Sequence, residues 1–172
     1  VATGQQSAAA IAMVRVSGHG CHALLAPLLR WKSKKENARE PGRISLCTFV
    51  DPADPASPTV IDDPMVVLYR APHSYTGEDA AEIFFHGSPY VVQRALSVMY
   101  AHGFRHAHGG EFTQRAFLNG KMDLTEAEGI CDLIHATSHQ EWLAARMLTG
   151  GNLRHVVEAL SDRYIDALAL LE

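Results

Sequence analysis

The stretch from Gly109 to Ile134 leaves the chain few choices, because it joins two short helical patterns through a turn that glycine makes most easily. Glu111-Phe112-Thr113 reads as a helix start, and Asn119-Gly120 as a turn with positive φ at the glycine. Lys121 and Asp123 follow at once, and Asp123 reads as a cap or as a partner of Arg115. A capping box is then expected from Thr125 to Glu128, in which a hydroxyl and a carboxylate each satisfy a free backbone N–H. The helix it opens runs to about Ala136, with Ala127, Ile130, Cys131 and Ile134 inward. A second box, Ser138 to Glu141, predicts another helix with Trp142, Ala145 and Met147 or Leu148 inward. After the Gly150-Gly151-Asn152 break, a last helix from Leu153 repeats Val156, Val157, Leu160, Tyr164, Ala167, Leu168 and Leu171. That stripe reaches Glu172 with no stop signal, so the chain is expected to be part of a longer one.

Ahead of this stretch the patterns alternate between strand and helix. Ala8 to Val16 reads as a buried strand, apolar on both faces except at Arg15. His19 to Trp31 reads as an amphipathic helix (Leu24, Leu25, Leu28, Leu29) interrupted near Pro27. Lys32 to Arg39 reads as a solvated loop. Ile44 to Val50 and Met65 to Tyr69 are rich in branched and aromatic residues and read as strands. The proline-rich run between them, Asp51 to Asp63, is expected to be an exposed connection. Ala80 to Phe85 is another strand. Ser88-Pro89 then reads as an N-cap with proline at the first helical position, opening a helix to about His102 that Gly103 stops and that buries Val91, Val92, Ala95, Leu96 and Met99.

Composition excludes several classes. With 172 residues, 47% of them apolar, the chain can bury a sizeable core. No apolar run approaches the ~20 residues of a membrane helix. A formal charge of −4 argues against a bulk electrostatic grip on nucleic acid. Cys21, Cys47 and Cys131 are odd in number and widely spaced, which fits buried thiols in a reducing cytoplasm. Among the ten histidines, His106 with His108 and His135 with His139 have spacings that could suit a metal. The reading fails on detail, since Ser138 restarts the helix within the second pair and no cysteine or carboxylate completes a set.

Three blocks carry a resemblance. The stretch already described, Ala71-Pro72-His73-Ser74-Tyr75-Thr76-Gly77-Glu78-Asp79 with Glu82 and His86-Gly87, and Ile11 to Gly18 stand in one order across nearly the whole chain. Together they resemble the N-terminal region of the tRNA-modification GTPase family called MnmE or TrmE. The Gly4 to Ala9 loop departs from that family, whose loop is rich in proline, glycine and a basic residue. The resemblance implies an α/β (α+β) mixed-sheet folate-binding domain over 1–118, similar in fold to the aminomethyltransferase folate domain, and the first helices of a helical domain over 119–172. The family's GTPase domain, with its GTP, magnesium and potassium sites, has no counterpart here, and no Gly-x-x-x-x-Gly-Lys-Ser/Thr occurs.

By the same resemblance the cofactor is a tetrahydrofolate derivative, 5-formyl- or methylene-tetrahydrofolate, and its contacts are Arg15, Glu82 and Lys121. The ligand's chemistry agrees. A pterin offers an amino group beside a ring N–H, which one carboxylate such as Glu82 can accept together. Its glutamate tail suits Arg15 and Lys121. Taken alone, the residues leave other readings open: Glu82 facing solvent, Arg15 paired with Glu78 or Asp79, Lys121 an ordinary surface lysine, His86 lining a pocket. The implied partners are a second copy in a homodimer, an MnmG-like flavoprotein, and tRNA through the full complex, in the cytoplasm. Two further functions stay in view: an interaction module that has lost its ligand, and a folate-dependent aminomethyltransferase.

Overall fold

The computed structural model describes residues 9–33, 39–53, 57–150 and 152–169. Most of the Gly4 to Ala9 loop, part of the Lys32 to Arg39 loop and Leu171 of the last apolar stripe lie outside the described residues. The chain divides into two compact units, Val1–Phe112 and Thr113–Glu172.

The first unit is an antiparallel sheet with helices against it. Its strands are β1 (Ile11–Ser17), β2 (Leu29–Trp31), β3 (Ser45–Asp51), β4 (Thr59–Asp62), β5 (Met65–Tyr69) and β6 (Ala80–His86). They run in the order β1-β6-β5-β3-β2, with β4 also on β3. Strand β3 serves three neighbours by bending: Ser45 and Leu46 pair with β5, Cys47 to Phe49 with β2, and Phe49 to Asp51 with β4 across a register shift. With sheet and helix together, the fold is of the α/β class.

Side-chain alternation sorts the strands into two faces. Val14 and Val16 of β1, Ala81, Ile83 and Phe85 of β6, Val66 of β5, and Cys47 and Phe49 of β3 are buried in one core. Phe49 and Phe85 meet there edge to face with centroids 5.1 Å apart. Helix α2 (Pro89–Ala101) closes this side with Val92, Ala95, Val98 and Met99, and Val91 and Leu96 pack at its margin. Proline opens the helix as expected, but the Ser88 side chain makes no capping bond.

The helix expected over His19 to Trp31 is much shorter. Helix α1 covers Cys21–Leu25, Ala26–Leu28 tightens into a 3-10 turn around Pro27, and Leu29–Trp31 becomes β2. Proline has no N–H to continue the helix, and the segment beyond it gains a ladder with β3 instead. The Asp51 to Asp63 connection likewise contains β4, although Ala53, Ser57, Thr59, Val60 and Asp63 are exposed as expected. Of the three thiols, Cys21 and Cys47 are buried and Cys131 is exposed, contrary to the expectation of three buried cysteines. Burial pushes the Cys47 pKa up to about 12, and burial with the Asp79 charge pushes Cys21 up to about 11.

Helix α3 (Glu111–Leu118) leads into the second unit, which holds α4 (Leu124–His135), α5 (His139–Thr149) and α6 (Asn152–Ala169). Gly120 has φ 68, as its turn requires. The capping box of α4 is formed by Asp123 and Glu126, two residues earlier than expected: each carboxylate accepts the other's backbone N–H at 2.8 Å. A charged cap oxygen is the stronger acceptor, so Asp123 caps the helix, one of the two roles read for it, and opens the box in place of Thr125. The Ser138–Glu141 box of α5 is present as expected.

Gly129 of α4 packs against Leu148 and Thr149 of α5, and Ala145 is buried, whereas Ile134, Trp142 and Met147 are exposed. A Cβ on Gly129 would stand 2.7 Å from Leu148 Cβ and 2.9 Å from Thr149 N, atoms that cannot swing aside. Gly129→Ala therefore sets a helix-propensity gain of about 1 kcal/mol against overpacking of about 1–3 kcal/mol. With rigid atoms on the other side overpacking wins, and thermal melting should show a lower Tm. An unchanged or raised Tm would mean that the helices separate at no cost.

Candidate functional site

Across β1 and β6 the register sets Arg15 opposite Glu82, on the face turned away from the core. The guanidinium donates to Glu82 Oε1 twice, from Nε at 2.8 Å and from Nη2 at 2.6 Å. On the other flank of β6, Tyr69 of β5 stands opposite Ala80, and its hydroxyl donates to Glu82 Oε2 at 3.1 Å. Arg15 thus has Glu82 as its carboxylate partner, and neither Glu78 nor Asp79. Burial first, and then the neighbouring Glu82 charge and hydrogen bond, raise the Tyr69 pKa, so the phenol keeps its proton at neutral pH.

The segment from Arg70 to Asp79 folds over this face and is tied down at many points. Ser17 Oγ donates to Glu78 Oε2 at 2.9 Å and shares a 2.5 Å hydrogen bond with Thr76 Oγ1. Ser74 Oγ donates to the Glu78 carbonyl at 2.6 Å, and Gly18 N to the Asp79 carbonyl at 3.0 Å. The Asp79 carboxylate accepts from Ala71 N at 3.1 Å, beside a cis Ala71–Pro72 bond. These bonds hold Tyr75 and the buried Thr76 in place. Glu111 does the same for the start of α3, taking Arg105 through both carboxylate oxygens and His108 N at 2.9 Å.

The outcome is an open cavity of about 210 Å³ lined by Arg15, Tyr69, Tyr75, Thr76, Ala80, Glu82 and Phe112. The Arg15 guanidinium carbon lies 5.6 Å from the Tyr75 ring centroid and 5.9 Å from that of Phe112, within cation–π range of both. A carboxylate braced by a cation and a phenol, with aromatic walls, suits a flat ring that carries N–H donors on one edge.

Known proteins are similar to this sequence. The family described as "GTP-binding protein TrmE N-terminus" matches residues 1–121. The chain belongs to that TrmE N-terminal family. The tRNA modification GTPase MnmE of Christiangramia forsetii is 39% identical over 169 residues, covering 96% of this chain and 34% of that protein. That of a Thermus thermophilus strain is 40% identical over 163 residues (95% and 37%), and that of Opitutus terrae 46% over 113 residues (66% and 25%). The chain thus matches between 25% and 37% of the length of these relatives.

Of the three residues that the TrmE resemblance singles out, Arg15 and Glu82 come together in the first unit, bonded to each other. Lys121, the last residue of the TrmE match, belongs to the second unit, is exposed on the turn after α3, and donates its backbone N–H to the Ala116 carbonyl at 2.9 Å. The sequence alone gives Tyr69, Tyr75 and Phe112 no role at the site. The weak signal for Tyr69 was its place at the end of a strand whose partner carries Glu82. Among the described residues no group of three or more His, Cys, Asp and Glu could hold a metal, and no helix is long and apolar enough to cross a membrane.

His86 does not line the cavity. It lies at the far end of β6, with its ring Nδ1 2.6 Å from Asp62 Oδ1 and its backbone N donating to Asp62 Oδ2 at 2.8 Å. The hydrogen bond and charge of Asp62, with a smaller contribution from Asp63, raise the His86 pKa. A pKa higher in the folded than in the unfolded chain gives stability that is complete below the unfolded value and is lost as pH rises through the folded one. The ring is 73% exposed, so the effect is small and screened by salt. Melting of wild type and His86→Gln should differ most below the ordinary histidine pKa of about 6.5 and converge as pH rises past the raised one; a gap that widens with pH would contradict the pairing.

Proposed function

We propose that this segment holds a reduced folate, 5-formyl- or methylene-tetrahydrofolate, for an MnmE-type tRNA-modification GTPase. The Arg15–Glu82 pair at the cavity supports this most directly, because it presents a fixed carboxylate to a ring edge. The acceptors and aromatic walls fit a pterin. A volume of about 210 Å³ is below the ~300–1,000 Å³ of pockets that enclose a whole ligand, so the bicyclic head would occupy the cavity and the charged tail would lie outside. Arg15 keeps N–H groups with no protein acceptor among the described residues, and the family resemblance assigns Lys121 to the tail carboxylates. When bound, the folate would supply a one-carbon unit. In the full-length protein, a flavin-dependent MnmG-like partner and the GTPase domain would use that unit to build an aminomethyl-type substituent at C5 of the wobble uridine of tRNA, in the cytoplasm.

Titration with 5-formyltetrahydrofolate tests the site. Glu82→Gln turns an acceptor into a donor facing a donor, a loss of about 1–3 kcal/mol or more. Lys121→Ala removes an ion pair near solvent, worth about 1 kcal/mol or less. Calorimetry should therefore rank Glu82→Gln as the more damaging. Wild-type affinity in Glu82→Gln would remove the ring-anchor role, and abolition by Lys121→Ala alone would mean that the ligand lies the other way round.

The resemblance and the commonness of two-fold contacts also support a homodimer through this domain. Sedimentation at micromolar concentration should show dimer, and monomer alone, with and without folate, would refute it.

A further inference from the structure

Glu82 has fewer free positions than its place at the cavity suggests. Oε1 already accepts both Arg15 donors, at 2.8 and 2.6 Å, and Oε2 accepts the Tyr69 hydroxyl at 3.1 Å. A carboxylate offers about four lone-pair sites, so Oε1 is filled and Oε2 has room for one more donor. Receiving a ring edge on both Glu82 oxygens would require Arg15 to give up a bond. The Tyr69 hydroxyl, by contrast, has committed its only proton to Glu82 and keeps its lone pairs, which no donor among the described residues engages. Tyr69 and Glu82 both line the cavity. The free acceptors there are therefore adjacent oxygens on neighbouring strands, 3.1 Å apart, one anionic and one neutral.

We infer that Tyr69 is a ligand-binding and specificity-determining residue, its phenol oxygen and Glu82 Oε2 together receiving two side-by-side N–H donors from a heterocyclic ring edge. The inference rests on the folate reading of the same cavity and names the acceptor that reading lacks. The more acidic ring N–H meets the anionic oxygen, and the exocyclic amino group meets the phenol. Selectivity follows from the committed proton. A ring with a carbonyl in place of the amino group would set acceptor against acceptor, and a site built around one hydrogen-bond pattern rejects its inverse strongly. The raised pKa of the phenol agrees, since a tyrosinate beside Glu82 would lose the bond that orients both groups.

The test is calorimetric titration of the intact protein, wild type and Tyr69→Phe, with 5-formyltetrahydrofolate and with its 2-desamino analogue. Tyr69→Phe should bind the parent roughly five- to tenfold more weakly than wild type does, while the two proteins bind the analogue alike. Equal binding of the analogue also shows that the variant is folded. Unchanged affinity of Tyr69→Phe for the parent would overturn the inference and leave the folate reading standing. Equal losses for parent and analogue would overturn it too, because Tyr69 would then act only by orienting Glu82. A wild type that binds neither compound would overturn the folate reading, and this inference with it.

Discussion

Strand β6 is paired on both flanks, with β1 and with β5, and its register governs the whole first unit. Ala81, Ile83 and Phe85 enter the core, so Ala80, Glu82 and Phe84 must point the other way. The same parity turns Val14 and Val16 inward on β1 and leaves Arg15 facing Glu82. A slip of one residue on either strand would drive a charged side chain toward Phe49 and Val66 and expose the apolar set of that strand, at a cost of several kcal/mol for the charge alone. The ion pair is thus positioned by hydrophobic burial. Its own Coulomb energy, at a partly exposed site, is too small to set the register.

The cavity's rim depends on a different kind of interaction. Between Arg70 and Asp79 the chain has no regular ladder, and its polar groups are satisfied by hydroxyls and carboxylates of the segment itself and of Ser17. No buried side-chain N or O among the described residues lacks a partner. Such a network is worth most when it is complete, since losing one member strands another in a region of low polarity. Thr76, almost fully buried, sits at its centre and also lines the cavity. The aromatic walls therefore owe their orientation to polar bonds beneath them.

Local chemistry made parts of this legible in advance. Met65 to Tyr69 is bounded by Pro64 and by the loop that begins at Arg70, and it forms a strand with those limits. The Ser138–Glu141 box needs only its own residues, as does the glycine turn at Gly120. What escaped depends on partners distant in sequence. Strand β2 is three residues long and exists because β3 lies beside it, which helical periodicity at Leu25, Leu28 and Leu29 could not disclose. Arg15 signalled a need for a partner, yet only strand register identifies that partner as Glu82. Phe112 looked like an ordinary residue of a helix start, and the fold places it beside Arg15.

The cavity is gathered from β1, β5, the segment after it, β6 and the first turn of α3, so nearly the whole first unit lies between Arg15 and Phe112. A nascent chain that has emerged through β6 possesses the charged pair and the phenol but still lacks one aromatic wall. Any molecule that needs all the walls can stabilise only the finished unit, in proportion to the logarithm of its concentration over Kd. It has no hold on the early collapsed chain. A molecule bound there would thus favour only chains in which β1, β5, β6 and Phe112 have already come together.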